Sequence, residues 1–218
     1  MVESIVLIGG GGHAKSVIDS IRSEEKWNII GILDNLEKVG QNIMGIPIIG
    51  TDDELPMLFK QGVRSAFITV GSLGDVDIRK KLFNKAKKVG FDFPNIIDKS
   101  AVIASDVELG KGNFFAKRVV INAGSIIGNQ TIINSGAIIE HDCLIGDFVH
   151  LSPGAVLSGG VKVGNDSHIG TNSTVIQYIS IGKQVLIGAG SVVLHDIKDN
   201  TKGYGNPYKE VGVWKRYI

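Results

Sequence analysis

Residues 121–144 read INAGSI, IGNQTI, INSGAI, IEHDCL, four six-residue units that each begin on isoleucine. Carried outward at the same step, the series runs Ile103, Leu109, Phe115, Ile121, Ile127, Ile133, Ile139, Ile145, Leu151, Leu157, Val163, Ile169, Val175, Ile181, Ile187 and Val193, with no residue inserted or lost. A helix at about 3.6 residues per turn cannot keep a strict period of six on one face. A flat strand of period two would not need the glycines that follow seven of these aliphatics (110, 128, 146, 164, 170, 182 and 188). Asn122 and Asn134 fill the same slot and also tolerate unusual backbone angles. Four residues after the aliphatic comes a small or β-branched residue, as in Val107, Val119, Ser125, Thr131, Ala137, Cys143, Val149 and Ala155. The pattern predicts a coil of short strands and corners, with the aliphatic pointing inward and glycine near the bend. Successive coils then hydrogen-bond at about 4.8 Å, and each touches only its neighbours.

Residues 1–96 follow another rhythm. Ile5–Ile8 is an apolar run ending in Gly9-Gly10-Gly11-Gly12-His13, after which Ala14, Val17, Ile18 and Ile21 share a helical face. Ile29–Leu33 closes on Asp34, and Ala66–Val70 ends in Gly71-Ser72. Ile78, Leu82, Ala86 and Val89 mark a later amphipathic helix, and its lysines (80, 81, 85, 87 and 88) form a solvated face. Thr51 and Glu54 read as a capping box rather than as catalysts. This alternation predicts a small parallel sheet flanked by helices. The expected division is a Rossmann-like α/β domain over 1–96, a β-helix over 97–198 and a C-terminal tail over 199–218.

Composition narrows the function classes. Lys+Arg total 23 against Asp+Glu 22, which argues against a chain built mainly to hold nucleic-acid phosphates or an acidic membrane. Glycine is in excess, 29 of 218 residues, with only 5 prolines and 43% hydrophobic residues, so the chain is neither disordered nor collagen-like. A single cysteine, Cys143, excludes an internal disulfide and fits a reducing compartment. No signal peptide or membrane span is read, so a cytoplasmic location is expected.

The repeat resembles that of the hexapeptide-repeat acyltransferases. The Gly-rich loop with His13-Ala14-Lys15, the Leu33-Asp34-Asn35 and Val70-Gly71-Ser72 segments, and Arg79 narrow the likeness to one subfamily of bacterial sugar acyltransferases. It includes sialic-acid O-acetyltransferases and UDP-4-amino-sugar and perosamine N-acetyltransferases. The resemblance implies a left-handed parallel β-helix behind the α/β domain, a homotrimer with active sites between subunits, and acetyl-CoA as co-substrate. It also implies a nucleotide-sugar acceptor held by the N-terminal domain. N-acetylation of a nucleotide-linked amino sugar is favoured over O-acetylation of the sialic-acid type.

Glu140-His141-Asp142 falls between the inward Ile139 and Cys143, which places an imidazole flanked by two carboxylates at the surface. Carboxylates there can fix the tautomer and raise the basicity of His141; the plain alternative is a surface histidine with two solvated acids. The resemblance implies that His141 is the general base with Asp142 its partner, and Glu140 is the rival orienting acid. Gly159 stands one coil beyond His141 at the same phase of the repeat; the resemblance implies that its amide contacts the acyl carbonyl, where it can stabilise an oxyanion. The alternative is one more corner glycine. His150, Thr171, Gly188, Ala189 and Pro207 match positions along the family's coenzyme groove, whereas His168 reads as structural. Gly9-x-Gly11-x-x-Ala14 with Asp34 satisfies a dinucleotide fingerprint in letters, but fewer than about 100 residues precede the β-helix, half of an NAD domain. The subfamily uses this domain for nucleotide-sugars, which makes Gly11, His13, Asp34, Gly71 and Ser72 the expected binding residues; otherwise His13 is a loop histidine without a ligand. Three histidines on a β-helix also raise a zinc hydratase of the carbonic-anhydrase type. Metal needs convergent ligands, and His141 and His150 occupy different phases, so none is expected. A third reading is a scaffold that binds nucleotide-sugars without catalysis. Cys143 takes an inward slot, so direct transfer is preferred over an acyl-enzyme.

Overall fold

The structure, a computed structural model, describes residues 3–214. They divide into two compact units, one running to Gly71 and resuming over Val76–Lys99, the other made of Ser72–Asp75 and the chain from Ser100 onward. Residues 215–218 of the expected tail, like residues 1 and 2, lie outside the described residues.

In the first unit, β1 (Glu3–Ile8) is paired in parallel with β2 (Trp27–Leu33) on one side and β5 (Ser65–Ile68) on the other. β4 (Ile46–Gly50) adds in parallel to β2, and the short β3 (Asn42–Ile43) adds antiparallel to β4. Helices α1 (Gly12–Glu24), α2 (Leu55–Lys60) and α3 (Asp77–Val89) complete it. Val6, Ile8, Leu33, Leu58, Ile68, Ala86 and Phe91 form one buried cluster. Helix α1 buries the expected Ala14, Val17, Ile18 and Ile21. Helix α3 departs from expectation. Ile78 is 62% exposed in the first turn, while Arg79 is buried, its guanidinium donating to the carbonyls of Ile68 (3.2 Å) and Val70. Those carbonyls at the end of the sheet supply acceptors that an aliphatic could not use. Nor are the lysines all a solvated face, because Lys85 bridges Asp52 (2.8 Å) and Asp53 (2.5 Å). Of the capping box, Thr51 accepts the Asp53 amide at 3.3 Å.

The second unit is a three-faced stack of two-residue strands. The first face carries Val102–Ile103, Val120–Ile121, Ile138–Ile139, Val156–Leu157, Thr174–Val175 and Val192–Val193. The second runs from Glu108–Leu109 to Ser180–Ile181, and the third from Phe114–Phe115 through His150–Leu151 and His168–Ile169 to Leu186–Ile187. Every strand pairs in parallel register with its counterpart three repeats along, as in Val120 with Ile138, Ile126 with Leu144 and His150 with His168. This is the left-handed parallel β-helix that the resemblance implies. Thr201–Tyr204 extends the third face beyond Leu186–Ile187 and turns back into Lys209–Val213. Fourteen of the sixteen repeat aliphatics and Phe are buried; Ile103 and Leu109, in the opening coil, are half-buried. Buried serines stitch coils together: Ser167 accepts the Val185 amide (3.0 Å) and donates to the Gly182 carbonyl (2.8 Å).

The corners correct one expectation. Among the described residues, every sixth residue from Gly112 to Gly190 is left-handed, with φ between 53° and 72°, three places after the inward aliphatic. Eight of those fourteen corners are not glycine, including Asp142, Asn172 and Tyr178. The glycines that directly follow the aliphatics do not bend the chain, and neither do Asn122 or Asn134. They make room: a Cβ on Gly170 would lie 2.5 Å from the Ala189 nitrogen and 2.6 Å from the Gly188 carbon, both backbone atoms of the next coil. No described helix is long and apolar enough to cross a membrane.

Candidate active site

His141 projects from the edge between the first and second faces. Its Nδ1 is 2.8 Å from Asp142 Oδ2, and both side chains are open to solvent. A carboxylate only accepts, so this contact keeps the proton on Nδ1 and leaves Nε2 as the free base. The left-handed corner at Asp142, φ 59°, is tolerated by aspartate and turns its carboxylate back to the preceding residue. Glu140 is occupied elsewhere, taking a hydrogen bond from Asn122 Nδ2 at 2.9 Å. Asp142, rather than Glu140, touches the imidazole.

One coil further, Gly159 lies directly beneath the imidazole. A Cβ at that position would be 2.5 Å from His141 Nε2 and 2.6 Å from Cε1. The absence of a side chain at Gly159 therefore makes the seat for the ring, a use of this glycine that register arithmetic places but does not explain. Cys143, one step inward, is fully buried, and burial pushes its thiol up to about 11. It is no nucleophile at neutral pH.

The expected coenzyme residues stand on other parts of the prism. His150 is on the third face, opposite the His141 edge; its Nδ1 donates to the Ser72 carbonyl at 2.5 Å, and Asn134 Nδ2 is 3.4 Å from its Nε2. Thr171, Gly188 and Ala189 lie at the edge between the third and first faces. Pro207 is exposed in the turn between the last two strands. A single chain thus does not bring His141 together with His150, Thr171 or Ala189. His168 packs edge-on against His150 with ring centroids 4.8 Å apart, and its Nε2 meets Ser152 Oγ at 3.1 Å. Burial lowers its pKa to about 4, which suits a neutral structural imidazole. Among the described residues, no group of three His, Cys, Asp or Glu is arranged to hold a metal ion.

In the first unit, the ends of β1, β2 and β5 gather Gly9–His13, Asp34 and Gly71 at one rim, the place where parallel α/β sheets take ligands. Gly9, at φ 113°, is demanded by packing, because a Cβ would lie 2.5 Å from Val70 Cγ2. Gly11 and Gly12 are different: a Cβ on either would meet nothing within 4 Å. Gly11 caps α1 without a side-chain hydrogen bond, and the first turn holds no acid. Asp34 accepts the Gly10 amide (2.6 Å), the Asn35 amide (2.6 Å) and Lys38 Nζ (3.1 Å). Burial pushes its carboxyl up, but those donors outweigh it and the net pKa is below the ordinary value. His13, half-buried beside Gly71, is pushed down to about 3 by burial and by the Arg79 charge, so it is neutral. Burial lowers Arg79 itself only to about 10, so it stays protonated. Ser72 is structurally part of the second unit, through its carbonyl on His150.

A β-helix with a histidine–aspartate pair on one edge, joined to an α/β unit with an open glycine loop, defines the hexapeptide-repeat class of transferase. Residues 4–86 match the PglD N-terminal domain family, and residues 124–159 and 142–177 match the bacterial transferase hexapeptide (six repeats). The chain is 40% identical to a mutant of perosamine N-acetyltransferase from Caulobacter crescentus, solved with CoA and GDP-perosamine, with 97% of this chain and 98% of that chain covered and a TM-score of 0.91. It is 33% identical to the acetyltransferase domain of PglB from Neisseria gonorrhoeae FA1090, solved with acetyl coenzyme A, with 96% and 99% covered and a TM-score of 0.89. Among curated proteins, it is 39% identical over 110 residues to uncharacterized protein L142 of Acanthamoeba polyphaga mimivirus. That match takes in half of this chain, which spans only about a fifth (20%) of the viral protein's length. The chain belongs to the hexapeptide-repeat sugar acyltransferases.

Proposed function

We propose that the protein transfers the acetyl group of acetyl-CoA to the amine of a nucleotide-linked amino sugar, with His141 as general base. The observation that carries this reading is the His141–Asp142 contact at 2.8 Å, which leaves Nε2 free above Gly159. The acceptor nitrogen attacks the thioester carbonyl carbon as Nε2 takes its proton. The tetrahedral oxyanion is met by the backbone amide of Gly159; the C–S bond then breaks and CoA leaves as thiolate, taking the proton from the imidazolium. With Cys143 buried and its thiol held protonated, no acyl-enzyme step is needed.

The open backbone at Gly11 and Gly12 and the uncapped start of α1 suit the phosphates of the nucleotide. His13 and Gly71 border them, and Asp34 shapes the loop through the Gly10 amide. Since His141 and the coenzyme-side residues occupy different edges, the site is completed in a homotrimer, with His150, Thr171, Gly188, Ala189 and Pro207 of one chain facing the His141 edge of another. The relatives solved with CoA and GDP-perosamine or with acetyl coenzyme A support both substrate classes. The test is thiol release from acetyl-CoA with a panel of UDP-, GDP- and dTDP-linked 4-amino sugars and their hydroxyl counterparts. Turnover is expected with an amino sugar and not with its hydroxyl analogue. Turnover with hydroxyl acceptors alone would move the reading to O-acetylation, and none with either would end it.

A further inference from the structure

From the segment that follows Gly71, we infer that Trp214 is a positioning residue for the acceptor: its indole fastens Ser72–Asp75, and through that segment the adjoining Gly71. This rests on the reading of Gly71 as a border of the bound nucleotide. Burial alternates along the segment, with Ser72 and Gly74 buried and Gly71, Leu73 and Asp75 exposed, as in an extended chain lying on a surface. That surface is the third face of the β-helix. Ser72 is held there by His150, whose Nδ1 donates to its carbonyl at 2.5 Å. Gly74 is held by Trp214, whose Nε1 donates to its carbonyl at 3.1 Å across 140 positions of sequence. Gly74 has φ 89°, and a Cβ there would overlap Leu186 Cδ1 and lie 3.0 Å from Trp214 Cζ2, so only glycine lets the segment come this close.

The two anchors lie on one line. His150 and Leu186 pair with His168 from either side, so they stand two strand spacings apart, about 9.6 Å. Two extended residues cover about 7 Å of that, and the anchoring side chains reach over the rest, so the segment runs along the axis of the prism. Trp214 is itself fixed from behind. Its backbone N donates to the Asn200 carbonyl at 2.8 Å, directly after the strand Lys209–Val213, which pairs with Thr201–Tyr204, and that strand pairs with Leu186–Ile187. Gly71 is one peptide bond from the Ser72 anchor, and a Cβ on it would lie 3.6 Å from His13 Cβ. Without the indole N–H, the segment is held at one point in place of two, and Gly71 is free to turn about Ser72. His150 keeps its own strand and its ring contact with His168, so the coenzyme side stays where it is.

Trp214→Phe, which keeps a ring over Gly74 but lacks the donor, is compared with Trp214→Ala and wild type. Calorimetry with UDP, GDP and dTDP selects the nucleoside diphosphate that the wild type binds. Its Kd is expected to rise about fivefold in Trp214→Phe, the usual net contribution of one neutral hydrogen bond, and about tenfold or more in Trp214→Ala. The acceptor KM is expected to rise with it, while the acetyl-CoA KM stays within about twofold of wild type. The melting temperature of Trp214→Phe is expected to stay within about 3 °C. An unchanged Kd in both variants, an acetyl-CoA KM that rises in step with the acceptor KM, or a loss seen only where the melting temperature falls would each overturn the assignment. If the wild type binds none of the three nucleotides, the nucleotide reading of the glycine loop fails and takes this inference with it; if it binds one, the variants decide on Trp214 alone.

Discussion

Gly159→Ala separates a seat for the His141 ring from a mere corner of the coil. The added Cβ would fall 2.5 Å from His141 Nε2 and 2.6 Å from Cε1, where ordinary contact begins near 3.4 Å. The imidazole must therefore retreat by about 1 Å, and it is free to do so because it is the exposed end of a side chain. Gly159 is not one of the left-handed positions, so alanine suits its backbone. Movement of this size at a reacting atom costs on the order of 10²-fold in rate, or about 2.7 kcal/mol of barrier. The expected result is a kcat lowered at least about 100-fold by thiol release at saturating substrates, with the melting temperature within about 2 °C of wild type. A variant with wild-type kcat would refute the placement of His141 over Gly159. A large loss of stability would show that the glycine serves the coil instead.

Gly170→Ala tests the opposite case, because its Cβ would meet backbone nitrogen and carbon of the next coil at 2.5 and 2.6 Å. Chemical denaturation of the β-helix is expected to show a loss of about 3 kcal/mol or more, and a loss below about 1 kcal/mol would contradict the packing role given to these glycines. His168, with its pKa lowered to about 4 by burial against an unfolded value near 6.5, binds fewer protons in the native state than in the unfolded one between those values. Its contribution is therefore complete above about pH 6.5 and is lost as the pH falls toward 4, a few kcal/mol in all. Denaturation midpoints at pH 7 and pH 4.5 are expected to fall further apart in wild type than in His168→Asn; equal spacing in both would contradict the assignment.

The β-helix was legible because its constraint is one-dimensional. A coil of three six-residue repeats, one to a face, puts an aliphatic inward at every sixth position, and no local accident hides that. The same register put Glu140, His141 and Asp142 on one edge, but it left two acids beside the imidazole; Asp142 came from the resemblance, and the folded geometry sets it 2.8 Å from Nδ1 while Glu140 accepts from Asn122. The division of labour among the glycines was not legible. Close approach to the next coil and a left-handed φ both favour glycine, and only the folded coil shows that the two demands fall two positions apart. Corners such as Asp142 and Tyr178, where a side chain occupies the left-handed position, carry no composition signal at all. Arg79 was read only as part of the resemblance, and its burial was hidden for a different reason: apolar periodicity finds helices that bury hydrocarbon, and α3 instead turns a guanidinium toward the carbonyls at the end of β5 and just beyond it.

The most direct measurement is turnover of His141→Ala beside its affinity for coenzyme A. With His141 as general base, kcat is expected to fall by about 10²- to 10⁴-fold, the usual contribution of such a group. Coenzyme A affinity by calorimetry should stay within about threefold of wild type, since in the proposed reaction His141 handles only the transferred proton and holds no other part of the coenzyme. A variant that keeps near-wild-type kcat, or that loses activity only because it no longer binds coenzyme A, would contradict that role.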